Sequence, residues 1–343
     1  MRTDGTIRLT IGLVYDLRAD YLAEGFSEEQ VAEFDSESTI AALEGALTAA
    51  GHATERIGHG RALCRRLAAG ERWDLVFTIA EGLNGRSREA QAPALLELFD
   101  IPYTFSDPLV CAVTLDKAVT KRLVQHAGLR TAPFRVIEEA ADTARVDLSY
   151  PLFAKPVAEG TGKGVDQRSR IRTPDDLRTV SAALLRRFGQ PVLVEEYLPG
   201  REFTVGILGT GRRARVLGTL EVRVKPGAPA ADYSFEVKER CEVFVDYLPV
   251  ARGAQLDEIE ALALAAYRSL QCRDAGRVDV RLDRQDRPCF LELNPLPGLH
   301  PAHSDLPMIA TQAGLPYPEL IGAILASATE RLAPAGNRGG ERP

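Results

Sequence analysis

The sequence predicts an α/β protein that begins with an open parallel sheet, and three observations in its first third support this fold class. Apolar segments at 7–15 and 74–79 have the length and composition of buried strands. An alanine-rich helical pattern lies between them, with Ser36 as its N-cap and Gly51 at its end. Such alternation of strands and helices favours a parallel sheet, whose ligands gather at the carboxyl ends of its strands.

The remaining two thirds predict mixed α+β subdomains, because helical patterns and strand patterns follow one another without internal repeats. Residues 333–343 lack apolar periodicity and are predicted to form a disordered tail. The other predicted elements, in chain order, are a helix at 116–127, a strand at 151–155, a helix starting at Thr173-Pro174, strands at 191–198 and 202–209, a helix near 256–270 and a closing helix from Pro318.

The composition is typical of a soluble globular protein of the cytoplasm. Of the 343 residues, 45% are apolar and 26% are charged, and no apolar run reaches the ~18 residues of a membrane span. The net charge of −6 offers no basic field that would attract nucleic acid. Five cysteines are scattered without paired spacing, which indicates reduced thiols. We therefore expect neither a membrane nor a nucleic-acid partner.

Two short alternating segments near the C-terminus, at 277–282 and 290–294, are predicted to form an antiparallel hairpin. The polar residues 284–287 supply its turn. A simple four-residue turn pairs residue 283 with residue 288, and counting back along the strands then fixes every other pair. Because side chains alternate with period two, the polar side chains of both strands share one face.

That face carries three oxygen ligands and one cation. Asp279 is expected opposite Glu292, and Arg277 is expected opposite Asn294. Two carboxylates and one amide carbonyl suit Mg²⁺, which keeps several waters and shares its remaining sites with substrate phosphates. The alternative is a surface hairpin that carries only a cross-strand ion pair.

Lysine is scarce in this chain, which makes each lysine a candidate for phosphate binding. The first 116 residues contain none, although 42 residues of the chain are Lys or Arg. A lysine ammonium is a compact point charge and an established partner of phosphate. The six lysines are at positions 117, 121, 155, 163, 225 and 238.

A glycine-rich segment, Glu-Gly-Thr-Gly-Lys-Gly-Val at 159–165, follows the predicted strand at 151–155. Its glycines allow backbone N–H groups to approach an anion closely, and Thr161 adds a hydroxyl donor. The segment lacks the Gly-Lys-[Ser/Thr] ending of a Walker loop, and it is not the dinucleotide-binding fingerprint. The alternative is a glycine-rich turn without a ligand.

Together these motifs resemble the ATP-grasp superfamily, and within it the D-alanine–D-alanine ligase family. The resemblance covers residues 74–325 closely and residues 1–73 loosely. It implies a three-subdomain ATP-grasp fold with ATP and Mg²⁺ as cofactors. The blocks that carry it are 114–117, 155–156 with the glycine-rich loop, 194–198, 200–205, 237–238, 277–279 and 292–298.

The resemblance also implies where the chain divides. The expected regions are an N-terminal α/β domain at 1–112, a central subdomain with the glycine-rich loop at 113–190, a C-terminal subdomain with the hairpin at 191–330, and the tail at 331–343. ATP would lie between the central and C-terminal subdomains. The segment 224–240 would close over it, which would shield an acyl phosphate from water.

Individual residues acquire roles from the same resemblance. Lys117 and Lys155 would contact phosphates, and Glu202 would accept hydrogen bonds from the ribose. The backbone of 195–198 would bind adenine. The implied nucleotide-binding residues are Lys117, Lys155, Gly160, Thr161, Gly162, Glu195, Glu196, Tyr197, Leu198, Glu202, Lys238 and Leu291, and the implied metal ligands are Asp279, Glu292 and Asn294.

Catalytic roles are implied for Arg277, Thr161 and Lys238. Arg277 would stabilise the tetrahedral intermediate formed when an amine attacks the acyl phosphate, and Lys238 would approach the phosphates. Thr161 stands where the family has serine. Ser304 and Gly298 match substrate positions, and Ser304 corresponds to the residue that binds the carboxylate of the second substrate. Simple loop capping by Ser304 is the alternative.

Departures from the family pattern affect the first-substrate site. Glu81 replaces a family histidine, and Glu239 replaces the tyrosine that follows the loop lysine. Glu33 and Asp35 are both candidates for the family's N-terminal carboxylate, and the sequence does not separate them. Greater negative potential favours a cationic or hydrogen-bonding side chain on the substrate. We therefore expect a larger, polar or basic amino acid to be accepted in preference to D-alanine.

These observations predict an ATP-dependent ligase that joins two amino acids, or an amino acid and a related carboxylic acid, with release of ADP and phosphate. One alternative is a true D-alanine–D-alanine ligase of cell-wall synthesis. Another is a non-catalytic ATP-binding regulatory protein, which the intact ligand set disfavours. Family analogy also implies a homodimer. The identity and chirality of the substrates stay open.

Overall fold

The computed structural model describes residues 8–228, 236–237 and 240–331. The predicted roles of Lys238 and Glu239 concern residues outside these ranges, and so does the disordered tail predicted at 333–343. None of the helices inside these ranges combines the length and the apolar character needed to cross a bilayer.

The first sheet is parallel, as predicted, and its central strand is the first in the chain. Ser36 accepts a hydrogen bond from the Thr39 N–H and caps the helix between the first two strands. The strands are β1 (Thr10–Val14), β2 (Ala53–Gly58) and β3 (Leu75–Thr78), in the order β2-β1-β3. The helices are α1 (Arg18–Ala23), α2 (Glu37–Ala49), α3 (Gly60–Ala68) and α4 (Gln91–Leu98), with a 3-10 turn at Arg88–Ala90.

The second sheet is antiparallel, and the glycine-rich loop connects two of its strands. The helix predicted to start at Thr173-Pro174 is present, because the Thr173 side chain accepts from the Asp176 N–H. The strands are β4 (Phe134–Ile137), β5 (Leu152–Pro156), β6 (Arg170–Ile171) and β7 (Val192–Glu196), in the order β4-β7-β5-β6. The helices are α5 (Pro108–Leu115), α6 (Lys117–His126) and α7 (Pro174–Phe188), with 3-10 turns at Ala140–Arg145 and Gln167–Ser169.

The third sheet is antiparallel and ends at the predicted hairpin. Its strands are β8 (Glu202–Leu208), β9 (Arg215–Val224), β10 (Val245–Pro249), β11 (Ala275–Leu282) and β12 (Pro288–Asn294), in the order β10-β9-β8-β11-β12. The helices are α8 (Cys241–Phe244), α9 (Ala254–Ser269), α10 (Asp305–Gln312) and α11 (Tyr317–Thr329), with a 3-10 turn at Gly211–Arg213.

The closing helix α11 completes the core of the first sheet. Leu320 and Ile324 of α11 are fully buried in one apolar cluster with Ile40 and Leu43 of α2. Each such side chain stabilises the fold by roughly 1.5–3 kcal/mol when it is fully buried. Leu296, which follows β12, belongs to the same cluster. Helices α2 and α11, from the first and last parts of the described chain, therefore share one core with Leu296, which holds the first sheet against the hairpin.

Candidate active site

The hairpin of β11 and β12 has the predicted register at its polar end. Arg277 pairs with Asn294, and Asp279 pairs with Glu292, so the four side chains share one face. Asp279 and Glu292 line a cleft between the second and third sheets, which we call the intersheet cleft. Arg277, Glu292 and Asn294 line an adjoining cavity of about 360 Å³, which we call the acidic cavity.

The predicted turn of this hairpin is wrong, and a bulge compensates for the error. The Asp283 N–H donates to the Arg287 carbonyl at 3.0 Å, so residue 283 pairs with residue 287 and not with residue 288. The register then shifts by one residue where Leu291 is unpaired. Because of the bulge, Leu291 and Glu292 both line the intersheet cleft, although strict alternation places neighbouring side chains on opposite faces.

The donor set on this face fits a magnesium ion. Asp279 is 5% exposed, and Arg277 Nη1 contacts its two carboxylate oxygens at 2.5 and 2.7 Å. Lys117 Nζ lies 3.4 Å from Glu292 Oε2. The amide nitrogen of Asn294 is buried and has no hydrogen-bond partner among the described residues. Since the two amide atoms exchange places by rotation, Asn294 has an oxygen available as the third hard ligand.

The intersheet cleft collects most of the residues predicted to bind nucleotide. Its walls include Lys117, Lys155, Gly162, Glu195, Glu196, Tyr197, Leu198, Glu202 and Leu291. Gly160 and Thr161 line the acidic cavity instead. The cleft and the cavity therefore meet at the glycine-rich loop and at the hairpin.

A buried carboxylate between two lysines forms the floor of the intersheet cleft. Glu195 is 3% exposed, with Lys155 Nζ 2.9 Å from one oxygen and Lys121 Nζ 2.7 Å from the other. Burial opposes its ionisation, yet the two ammonium groups hold the pKa of Glu195 at about 2. Sequence reasoning missed the part played by Lys121. The sequence could have indicated this role, because Lys121 is four residues from Lys117 and both lysines therefore lie on one face of α6.

The glycine-rich loop binds the carboxylate of Glu33, which lies between α1 and α2. Gly160 N–H donates to Glu33 at 2.6 Å, and Lys163 Nζ and Arg88 Nη2 each lie 3.1 Å from Glu33 Oε2. Lys163 also pairs with Glu159 at 2.6 Å. Burial opposes the charge, but Arg88 and Lys163 keep the pKa of Glu33 below its usual value. The loop is therefore anchored to the first sheet through Glu33.

This anchor separates the two N-terminal candidates that the sequence left open. Glu33 is occupied by the loop, Arg88 and Lys163. Both residues line the acidic cavity, but Asp35 has no ion pair among the described residues. Asp35 is therefore the better placed of the two to meet a substrate.

The opposite wall of the acidic cavity is built by the loop between β12 and α10. The Ser304 hydroxyl oxygen accepts from the His300 N–H at 3.0 Å and makes no capping bond at the start of α10. A Cβ on Gly298 would lie 2.7 Å from that hydroxyl oxygen, so the close approach requires glycine. Because its oxygen accepts from the backbone, the Ser304 O–H can still donate to a carboxylate in the cavity.

Three carboxyl groups on the wall of the acidic cavity have no ion pair among the described residues: Asp35, Glu81 and Glu89. Burial, and then repulsion from neighbouring carboxylates, raises the pKa of Glu81 well above its usual value. The pKa of Asp35 rises to about 7 through burial and the nearby Asp16. Burial likewise raises the pKa of Glu89 to about 7. The cavity is therefore less negative near neutral pH than a count of its acidic residues predicts.

We expect Glu89 to make the protein less stable as the pH rises. Its pKa increases from 4.5 to about 7 on folding, so the folded state keeps a proton that the unfolded state has lost. The free energy of unfolding should then decrease between these two pH values, by about 3 kcal/mol for a shift of this size. Glu89→Gln should remove this part of the pH dependence, as measured by urea unfolding from pH 5 to pH 8.

The matched control is Glu258→Gln on the exposed face of α9, which should follow the wild-type curve at every pH. A Glu89→Gln curve parallel to wild type would contradict the assignment. The other charged groups that act on Glu89 are Arg88, Glu33, Glu81, Lys117 and Lys163.

The sequence matches known ligases over most of its length. Residues 123–326 match the family described as "D-ala D-ala ligase C-terminus". The D-alanine–D-alanine ligase of Bordetella avium strain 197N is 37% identical over 267 residues, which cover 77% of this chain and 81% of that protein.

Two solved structures share the fold. The D-alanine–D-alanine ligase from Bacillus anthracis, complexed with ATP, has a TM-score of 0.70 at 21% identity and covers 94% of this chain and 98% of its own. The VanG D-Ala:D-Ser ligase from Enterococcus faecalis has a TM-score of 0.72 at 19% identity, with 94% and 100% covered. These likenesses confirm the predicted ATP-grasp fold. Because the sequence match spans most of both proteins, the chain belongs to the D-alanine–D-alanine ligase family.

Proposed function

We propose that this protein is an ATP-dependent carboxylate–amine ligase that joins two amino acids through an acyl phosphate. One observation supports the proposal most directly: Glu292 lies on the walls of both the intersheet cleft and the acidic cavity. A terminal phosphate bound in the cleft would therefore meet a carboxylate bound in the cavity. The point of contact is the face of the hairpin that carries the hard oxygen ligands.

The residues of the cleft would bind the triphosphate and neutralise its charge. The ammonium groups of Lys117 and Lys155 line the cleft and suit phosphate oxygens. Mg²⁺, when bound, would neutralise further charge and hold the phosphates in line for transfer. Its ligands would be Asp279, Glu292 and Asn294.

The proposed reaction has two steps. A carboxylate oxygen of the first amino acid bonds to the terminal phosphorus, and the bond to ADP breaks. The neutral amine of the second amino acid then attacks the acyl carbon, loses a proton, and phosphate leaves with the bonding electrons. Arg277 lines the acidic cavity, 3.1 Å from Asp305, where its guanidinium can stabilise the oxyanion of the tetrahedral intermediate. Thr161 and Ser304 line the same cavity.

We also propose that the enzyme is a cytoplasmic homodimer. Leu98 at the end of α4 and Leu109 in α5 are 75% and 73% exposed, and they offer apolar surface for a second copy of the chain. The five cysteines are free thiols, as a reducing compartment would keep them. Sedimentation equilibrium of the full chain tests the assembly, and a purely monomeric species would contradict it.

The second candidate function is D-alanyl-D-alanine synthesis, and the identity with the Bordetella avium enzyme favours it. Glu81 on the cavity wall argues for a different first substrate, because a carboxyl group next to a methyl side chain would gain no partner. A non-catalytic ATP-binding protein is disfavoured by the complete set formed by Arg277, Asp279, Glu292 and Asn294.

The experiment is a pairwise panel of D- and L-amino acids with ATP and magnesium. ADP release and the mass of the product are measured for each pair, with Asp279→Asn as the inactive control. A dipeptide formed in proportion to ADP supports the ligase. D-alanyl-D-alanine formation with no better pair would restore the cell-wall function. ATP binding without product from any pair would favour the regulatory protein.

A further inference from the structure

We propose that the first-substrate pocket recognises an amino acid with a second cationic group on its side chain, bound by Asp35, Glu81 and Glu89. This inference rests on the proposed ligase function and names the class of its first substrate. The three residues come from three loops around the first sheet: Glu81 follows β3, Asp35 precedes α2, and Glu89 lies in the 3-10 turn before α4. All three line the acidic cavity.

The described wall of the acidic cavity has more carboxyl groups than cationic partners for them. Its two guanidinium groups already have carboxylate partners, since Arg18 lies 3.4 Å from Glu28 and Arg277 lies 3.1 Å from Asp305. Glu292 lies 3.4 Å from Lys117. These pairs leave Asp35, Glu81 and Glu89 without an ion pair among the described residues. The other basic groups on the wall are His300 and His303, and burial lowers the pKa of His300.

Burial makes this imbalance costly. Glu89 is 8% exposed, yet it has no hydrogen bond or ion pair among the described residues, and it lines the cavity. An ionised carboxylate withdrawn from water loses much of its hydration energy unless a counter-charge replaces it. In the free protein a bound proton can neutralise the carboxylate. A cationic ligand can replace that proton and pair with the carboxylate. Such an ion pair is stronger in the cavity than on an open surface.

The position of Glu81 is fixed by its neighbour. The Gly82 N–H donates to the buried Asp16 carboxylate at 2.8 Å. Gly82 also has a φ of +70°, and a Cβ there would lie 2.6 Å from the Arg88 carbonyl oxygen. The backbone that carries Glu81 is thus held between the Asp16 carboxylate and the 3-10 turn, which places Glu81 at the cavity wall before any ligand arrives.

The α-ammonium group of the first amino acid can neutralise only one of the three carboxyl groups of the cavity. The first amino acid keeps its α-ammonium group, because only its carboxylate reacts, and this ammonium needs one carboxylate partner. Two more carboxyl groups remain. A side-chain ammonium or guanidinium can pair with them, and the last carboxyl can keep a proton shared with its neighbours. A neutral side chain, such as a methyl group, would leave both without a partner.

The test compares amino acids whose side chains match in length and differ in charge. Ornithine is paired with norvaline and lysine with norleucine, in both enantiomers, as first substrates in the ADP-release and product-mass assay. We expect the cationic member of one pair to give a kcat/KM roughly tenfold or more above its neutral partner, as one added ion pair in a closed pocket would produce. Equal values for cationic and neutral members would overturn the proposal and leave the ligase function intact.

Two variants test whether Glu81 and Glu89 cause the preference for a cationic side chain. Glu81→Gln and Glu89→Gln should each lower the cationic-to-neutral ratio by roughly tenfold, while the KM for ATP stays within about twofold of wild type. Glu258→Gln on α9 should leave the ratio unchanged. A preserved ratio in both cavity variants would overturn the assignment of these residues.

A calorimetric titration tests binding in the pocket independently of turnover. Ornithine, lysine and their neutral isosteres are titrated into the full chain in the presence of ADP and magnesium. If no pair supports ADP release, the proposed ligase function fails, and this titration then decides the pocket. Binding of the cationic amino acid alone supports the pocket proposal, whereas absent or equal binding overturns it.

Discussion

Asp279→Asn and Glu292→Gln should each lower turnover by ~100-fold or more while the protein stays folded. Loss of a residue that merely orients a metal ligand costs ~10–100-fold, so loss of a charged ligand should cost at least as much. Each amide keeps an oxygen and nearly the same volume, so the packing of the hairpin is preserved. The measurements are ADP release, magnesium dependence of ATP binding by calorimetry, and thermal unfolding.

The matched control for this prediction is Asp286→Asn. Asp286 lies at the exposed tip of the same hairpin with a φ of +57°, a left-handed backbone that asparagine tolerates. The variant removes one negative charge from the hairpin and should keep wild-type turnover and stability. Wild-type turnover in Asp279→Asn or Glu292→Gln would contradict the metal assignment. Partial recovery at high magnesium would support it.

The functional face of the hairpin could be predicted from the sequence, but its exact turn could not. The pairing of Asp279 with Glu292 was predicted correctly, although the predicted turn was one residue too long. The bulge at Leu291 compensates for that error, so the functional face is the same. Alternation alone could not reveal the bulge, because it depends on how the strand packs against its neighbours. The family and the ATP-grasp fold were likewise predicted from motifs and are confirmed.

Contacts between distant parts of the chain could not be predicted in this way. Glu33 binds the N–H of Gly160, 127 residues away, and nothing local to either residue indicates the pair. Lys121 was visible only as a scarce lysine, and its contact with Glu195 needs both the helix and the second sheet. Spacing alone also could not show that burial raises the pKa of Glu81.

Arg277→Lys should uncouple ATP consumption from peptide formation. The guanidinium contacts Asp279 at 2.5 Å, Asp305 at 3.1 Å and the Thr204 hydroxyl at 3.3 Å, so its orientation is fixed against the cavity. Lysine keeps the positive charge but loses the planar fork that can bond to an oxyanion and a carboxylate together. Because the oxyanion forms only when the amine attacks, the second step should slow by roughly 10²–10³-fold.

The acyl phosphate should still form in this variant, since Lys117, Lys155 and the metal ligands are unchanged. It should then be lost to water, so that ADP release exceeds dipeptide formation while the KM for ATP changes little. The measurement is the ratio of ADP to dipeptide at saturating substrates. The matched control is Arg273→Lys, which pairs with Asp107 at 2.6 Å outside both cavities and should keep a ratio near one. A parallel fall of ADP and dipeptide, with a raised KM for ATP, would instead place Arg277 in nucleotide binding, because its only effect would then pass through Asp279 and the metal.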